Sequence, residues 1–435
     1  MSEERSVVQT VDNLLHLRRS RRGLGIFVVR LAVGAAIMKT AGETIGLAAE
    51  MKDIENTWSR AAVSNEEFFQ NYQDKLQKVT LGASFAPEEF SSQERDKSLA
   101  MEALRITIEE LGIRDVRLGI RWNKVIGESG EFDFGFYKPY LDYCLEKDVN
   151  VCLNIGPIKT FRWKEEHVPG YILAKLPSVP QKRSVIRKDD VLAQYALEYT
   201  RQLLTHITSS YSQHQLLKIT KIQPENEGLF PFGENEWTMG TEYIKKLIRT
   251  IERYFPHAKI LLNSAGKKNL REITRIFNEM KLEDPQKFNG RFISGFNYHY
   301  KTPKPEFPAY LNTVTDFIYE KLDPISAPGM HKTCEQNLED AKRFGFRIQV
   351  TEGQAEPYPP HYTPGNDATG FRFMLLRCME RILNLDQHQS LISIWGIEGL
   401  VKKIISDALD NEHMQIIEII KTVNRMMPEQ ELAQA

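Results

Sequence analysis

Two glutamates, each closing a short apolar run, carry the chemistry this chain could perform. Residues 216–228 read Leu-Leu-Lys-Ile-Thr-Lys-Ile-Gln-Pro-Glu-Asn-Glu-Gly. Leu217, Ile219 and Ile222, with Thr220 between them, suit a β-strand, and Pro224 cannot continue its hydrogen-bonding ladder. The strand is expected to stop just where Asn226 and Glu227 appear. Residues 344–352 read Phe-Gly-Phe-Arg-Ile-Gln-Val-Thr-Glu, a second apolar run that ends in a carboxylate, Glu352. The segment that follows, 353–360, is too rich in proline for strand or helix. Carboxyls at the C-terminal ends of buried strands stand where α/β barrels place catalytic groups. Either glutamate alone is as readily a solvated loop acid. Two that face each other suit glycosidic bond hydrolysis, where one protonates the leaving oxygen and the other attacks or stabilises the anomeric carbon.

A second group of candidates lies in 156–169, Gly-Pro-Ile-Lys-Thr-Phe-Arg-Trp-Lys-Glu-Glu-His-Val-Pro. Arg162, Trp163, Glu166 and His167 combine an aromatic face with charged groups, the means by which sugars are stacked upon and their hydroxyls held. The competing reading is that Trp163 only packs the loop down. Glu234-Asn235-Glu236 repeats the Glu-Asn-Glu pattern, but Phe-Pro-Phe-Gly precedes it rather than a strand, so it is assigned to a loop with Trp237 as a possible aromatic wall. Glu225 is a weaker contender beside Glu227. No HExxH, HxH or clustered Asp/His set suggests a catalytic metal, no glycine-rich phosphate loop is present, and Ser264-Ala-Gly266 is not a nucleophile elbow. No metal and no cofactor are expected.

The elements needed to present these residues are eight strand-then-helix units, the pattern of a parallel sheet closed into a (β/α)8 TIM barrel. The strands are read at 79–85, 115–120, 150–155, about 217–223, 259–263, 292–298, up to 352, and 391–395. Helices are read at about 94–111, 136–147, 190–211, 241–254, 270–280, 311–322 with 335–344, 367–384 and 412–426. The long loops follow strands three, four, six and seven, all on the C-terminal face where such barrels build sites. The barrel is taken as 76–427, after an N-terminal helical extension at 1–75 and before a polar tail at 428–435.

Composition narrows the partners. The 435 residues hold 57 basic and 58 acidic side chains, a net charge of −1, which gives no electrostatic footprint for nucleic acid. A neutral polar substrate such as a carbohydrate is compatible. Cys144, Cys152, Cys334 and Cys378 form no CxxC pair, and Cys144 and Cys152, in a predicted helix and strand, are expected as buried free thiols. Near the N-terminus, Arg18-Arg-Ser-Arg-Arg22 precedes an apolar stretch within 23–49 that Arg30, Lys39 and Glu43 interrupt. It reads as a signal or membrane anchor, or else as an amphipathic helix on the barrel or on a membrane surface.

Asn226-Glu227 after the fourth strand, Glu352 at the end of the seventh and Trp395 at the end of the eighth resemble the four/seven pattern of clan A glycoside hydrolases, over about residues 79–395. The resemblance implies a retaining β-glycosidase acting on an oligo- or polysaccharide, with Glu227 as acid/base, Glu352 as nucleophile and Asn226 on the sugar hydroxyl next to the anomeric carbon. It implies a raised pKa for Glu227 beside an ionised Glu352. It further implies that Arg117 bonds near the nucleophile. Tyr298, His299 and Tyr300 are the candidates to orient that nucleophile, Tyr298 and His299 first. Arg121 and Trp122 would line the cleft. The 156–169 loop is similar to the sugar-site loop of poorly characterised, cellulase-like members of the clan. A carbohydrate-binding cell-envelope protein without turnover, and a transglycosylase with the same site, are the alternatives.

Overall fold

In the computed structural model, residues 65–90, 94–264, 267–299, 343, 345–354, 368–384 and 390–426 are described. The 23–49 stretch, Cys334 and Tyr300 lie outside them. Eight strands close a barrel: β1 Val79–Phe85, β2 Asp115–Gly119, β3 Asn150–Asn154, β4 Ile219–Gln223, β5 Lys259–Ser264, β6 Phe292–His299, β7 Arg347–Gln354 and β8 Ser390–Ile394. Every neighbouring pair is parallel, and β8 returns to β1 with Val79 opposite Ser390. The strands are nearly continuous runs of buried residues, as expected of a parallel sheet covered on its outer face and filled within.

The longer helices are α1 Asn65–Leu76, α2 Glu94–Arg105, α3 Lys138–Glu146, α4 Val191–Ser210, α5 Thr241–Tyr254, α6 Lys267–Glu283, α7 Ala368–Asn384, α8 Ile397–Ile405 and α9 Asn411–Met426. Their apolar stripes make them wrap the barrel. In α5 the residues Tyr243, Ile244, Leu247, Ile248 and Ile251 recur at helical spacing and all are buried. α1 belongs to the same compact unit as the barrel, which begins at Asn65; Asn65 Nδ2 donates to the Gln415 carbonyl of α9 at 3.1 Å. Cys144, Cys152 and Cys378 are buried free thiols, and burial pushes the first two up to about 12. Among the described residues, no helix is long and apolar enough to cross a membrane.

The fourth strand starts later than the sequence pattern predicts. Leu216 and Leu217 form the end of a short helix, Gln213–Leu217, opened by a capping box in which Ser212 and Gln215 satisfy each other's backbone amides. β4 then runs only from Ile219 to Gln223. Beyond it Pro224 releases the chain, and Glu227 takes a left-handed φ of +44°.

Gly156 fixes the start of the loop after β3. A Cβ there would sit 1.8 Å from the Lys159 carbonyl oxygen, so only glycine allows this turn. The Lys159 carbonyl in turn accepts the Asn226 N–H at 2.8 Å, which ties the β3 loop to the segment carrying Glu227.

Candidate active site

A connected set of buried polar side chains lies across β2, β4, β5, β6 and β7. Arg117 of β2 is fully buried. Its Nε donates to Gln223 at 2.8 Å, one Nη to Asn226 Oδ1 at 2.6 Å and the other to Glu352 at 3.2 Å. A guanidinium in this position stabilises the anionic form of the carboxylate it touches. Asn263 of β5 accepts the Glu227 N–H at 2.9 Å and Gln223 Nε2 at 2.6 Å on one oxygen, while its own amide nitrogen donates to Asn226 at 3.1 Å.

The centre of the set is Asn297, near the end of β6. Its single amide nitrogen donates to Glu227 Oε1 at 2.9 Å and to Glu352 Oε2 at 2.8 Å. The Thr351 hydroxyl donates to Asn297 Oδ1 at 2.6 Å, which sets the orientation of the amide. Two oxygens that share one donor nitrogen are less than about 6 Å apart, which fits the ~5–5.5 Å of a covalent double displacement better than the wider gap that admits a water. Both glutamates are largely covered, at 5% and 4% exposed, at the C-terminal ends of their strands.

The loop after β3 covers one side of the pair. Lys159 is completely buried, and its ammonium reaches the Phe230 carbonyl at 2.9 Å and the carbonyls of Glu227 and Trp237 at 3.4 Å. Glu225 projects away from the pair. It accepts the Lys159 N–H at 2.6 Å and the Tyr243 hydroxyl at 2.8 Å, and burial pushes its carboxyl up to about 8. Glu225 thus clamps the loop. Glu165 turns inward instead: it is 3% exposed and accepts from Asn226 Nδ2 at 2.9 Å. Burial, then the charges of Glu227 and Glu352, hold the Glu165 carboxyl well above the usual carboxylate range, with Lys159 pulling the other way. Arg162, Glu165 and Glu227 all adopt left-handed φ values, of +81°, +71° and +44°. Non-glycine residues rarely hold such conformations unless the surrounding structure imposes them, and functional sites are where they gather.

The structure thus brings Glu227, Glu352, Asn226 and Arg117 into direct contact or onto a shared donor. Trp395 and Arg162 stand beside them rather than open to solvent: the guanidinium lies 4.2 Å from the Trp395 ring centroid, pairs with the buried Glu398 and has Phe161 as a further aromatic neighbour of the tryptophan. Trp163 is 65% exposed and meets Phe232 edge-on at 6.1 Å, so it does not pack the loop down. Glu166 points to the neighbouring loop, where it accepts the amide hydrogens of Asn235 and Trp237, both at 3.4 Å. His167 is buried, and burial, reinforced by Arg121, drives its imidazole down to about 3. Tyr298 and His299 are the last residues of β6, opposite Gly353 and Gln354; their side chains lie outside the described structure.

Some expectations for the flanking residues change. Trp237 is 1% exposed, with its indole N–H on the Gln181 carbonyl at 3.1 Å, so it is core and not a cleft wall. Trp122 is likewise buried, stacked on Tyr199. Glu234 and Glu236 pair with Lys164 and with Lys182 and Arg183 on the outer loop. The residues missed from the sequence are Asn297, Glu165, Asn263 and Gln223. Three of them share a signal: an amide side chain within the C-terminal half of a barrel strand, where burial on both faces favours apolar residues.

No protein-family model matches this chain, and no curated protein matches it. Among solved structures it is similar to a GH10 endoxylanase retrieved from a sugarcane soil metagenome, at 12% identity over 76% of this chain and 88% of that one, with a TM-score of 0.46. It is similar to xylanase 10B from Thermotoga petrophila in complex with xylobiose, at 16% identity over 77% and 85%, TM-score 0.46. A third is PbGH5A, a glycoside hydrolase family 5 enzyme from Prevotella bryantii, at 12% identity over 81% and 97%, TM-score 0.46.

Proposed function

We propose that this chain is a retaining glycoside hydrolase that cleaves β-glycosidic bonds of an oligo- or polysaccharide. The observation that carries the reading is the Asn297 amide nitrogen held between Glu227 and Glu352. It puts two carboxyls from different strands on one small volume at the end of the barrel where substrates enter.

The roles follow from what each carboxyl touches. Glu352 has the Arg117 guanidinium, which stabilises its anionic form, so it is the nucleophile. Its oxygen bonds to the anomeric carbon as the bond from that carbon to the leaving oxygen breaks. Glu227 gives its proton to that oxygen. In the second half Glu227 takes a proton from water, the water oxygen bonds to the anomeric carbon, and the bond to Glu352 breaks. Asn226 offers its amide to the hydroxyl beside the anomeric carbon, a contact that strengthens as positive charge develops on the ring. Exposed Trp163, with Phe232 beside it, supplies an apolar face for a sugar further along the chain.

The test uses aryl β-glycosides and a panel of polysaccharides. Glu227→Gln and Glu352→Gln should each lower kcat by at least about a thousandfold, and the first-formed product should keep the anomeric configuration by proton NMR. A 2-deoxy-2-fluoro aryl glycoside should label Glu352, seen by peptide mass spectrometry. Hydrolysis undiminished in both variants, or an inverted product, removes the reading.

A further inference from the structure

Asn226 is held more firmly than a loop residue needs to be. Its Oδ1 accepts three side-chain donors, from Arg117 at 2.6 Å, Asn263 at 3.1 Å and Gln223 at 3.2 Å. Its backbone N–H is spent on the Lys159 carbonyl at 2.8 Å. That leaves the two hydrogens on Nδ2, and one of them goes to Glu165 Oε2 at 2.9 Å. A planar amide with one hydrogen fixed has the other fixed as well.

We propose that Glu165 is a positioning residue: its carboxyl locks the plane of the Asn226 amide and so sets how well the site grips the sugar hydroxyl next to the anomeric carbon. The inference rests on the glycosidase reading and extends it to a residue outside the carboxyl pair. Glu165 is built for such a task. Its loop is pinned by its own backbone, with the Thr160 N–H on the Glu165 carbonyl at 3.0 Å and the Glu165 N–H on the Arg162 carbonyl at 2.8 Å. Its left-handed φ of +71° turns the side chain inward while Glu166, next in the chain, reaches the outer loop. A carboxyl kept for fold stability alone has no reason to be buried beside two others; removing it from water costs free energy that one amide contact offsets only in part.

The same placement fixes the protonation state of Glu165. The charged groups that face it are Lys159 from its own loop, Glu227 from the segment after β4 and Glu352 from β7, with Arg117 beyond Asn226. Burial and the two neighbouring carboxyls make Glu165 keep its proton where an ordinary glutamate has lost it. A glutamine at 165 is then a neutral mimic that still accepts from Asn226, so that variant keeps the grip on the amide and the shape of the pH profile.

The experiment measures kcat/KM against pH for the wild-type protein, Glu165→Ala and Glu165→Gln, on an aryl β-glycoside and its 2-deoxy counterpart. Glu165→Ala should lose about tenfold to a hundredfold on the 2-hydroxy substrate and less than about threefold on the 2-deoxy one, the loss of one well-directed hydrogen bond in the transition state. Glu165→Gln should recover most of that loss and keep the wild-type pH profile, as a neutral acceptor in the same place. Equal losses on both substrates mark a purely structural role and overturn the proposal. So does an alanine variant with no loss, or a glutamine variant that recovers none of it. Should the alanine variant fail to fold, the same two-substrate comparison on Glu165→Leu decides. A wild-type protein inactive on every glycoside overturns both the glycosidase reading and this one; an active wild type with equal losses on both substrates overturns this one alone.

Discussion

Asn297 shows how much one side chain can decide. Its amide nitrogen serves both carboxyls, and its oxygen is held by Thr351 and approached by Asn263 at 3.3 Å. Without it, two acids would face each other across a buried gap with less to keep them apart in charge or in position. Asn297→Ala is expected to lower kcat by about a hundredfold or more, the range seen when a preorganised donor is removed from an active site, with a much smaller change in KM. Steady-state kinetics on an aryl glycoside checks this; a variant that changes KM alone places Asn297 in ground-state binding instead. The sequence drew attention to the neighbouring Tyr298 and His299 and passed over Asn297. Aromatic and imidazole groups look chemical in a sequence, whereas an asparagine in a strand looks like a flaw until its partners are known. The bulge in the pairing of β6 with β7, between Phe296 and Asn297, sets which residue turns toward Glu352, and strand alternation alone does not reveal a bulge.

At the scale of elements, the strands were legible and the loops were not. All eight barrel strands overlap the apolar runs read from the sequence, since burial on both faces leaves a strong pattern, although β7 runs on past Glu352 through Gly353 to Gln354. The start of β4 was misread because Leu216 and Leu217 are apolar, although the Ser212-Gln-His-Gln215 capping box ahead of them is itself a helix signal. The loop after β3 was recognised as part of the site, but sequence has no means of telling Glu165 from Glu166. What separates them is a left-handed backbone at Glu165, whose carbonyl accepts the Thr160 N–H and whose own N–H goes to the Arg162 carbonyl, in a loop that Gly156 opens and Glu225 clamps at Lys159. That dependence can be tested away from the acids. Gly156→Ala forces a Cβ to within 1.8 Å of the Lys159 carbonyl, which itself accepts the Asn226 N–H. The loop must shift, and the shift passes to the segment bearing Glu227. A loss of about 1–3 kcal/mol in stability is expected, with a fall in kcat/KM larger than that loss can explain for the fraction still folded. Gly399→Ala, in α8 with nothing within 4 Å of the added Cβ, is the matched control and should be neutral or mildly stabilising. Urea unfolding and kinetics on both variants check the contrast; parallel behaviour would mean that the turn at Gly156 does not position the site.

For the whole molecule, the buried titratable groups around the barrel mouth set a stability profile with two limits. Burial holds Glu225 up to about 8, although the amides of Ile158 and Lys159 and the Tyr243 hydroxyl oppose it by donating to the carboxyl. An unfolded glutamate titrates near ~4.3, so between there and about 8 the folded protein binds the extra proton, and stability falls as pH rises through that window. Glu165 acts in the same direction, since it too is held above its ordinary range. His167 acts in the opposite one. Burial and Arg121 drive it down to about 3, below the ~6.5 of an unfolded histidine, so the unfolded chain binds the extra proton and stability falls as pH drops from ~6.5 toward 3. Between ~4.3 and ~6.5 the His167 slope opposes those of Glu225 and Glu165, which together outweigh it, so stability should be greatest near the acid end of that interval and fall on both sides. Urea midpoints from pH 3.5 to 8.5 measure the profile. Glu225→Gln should flatten the alkaline side and leave the acid side in place, while His167→Gln should do the reverse. The two sides thus have separate causes at separate residues, and a variant that moves both sides, or neither, breaks that assignment.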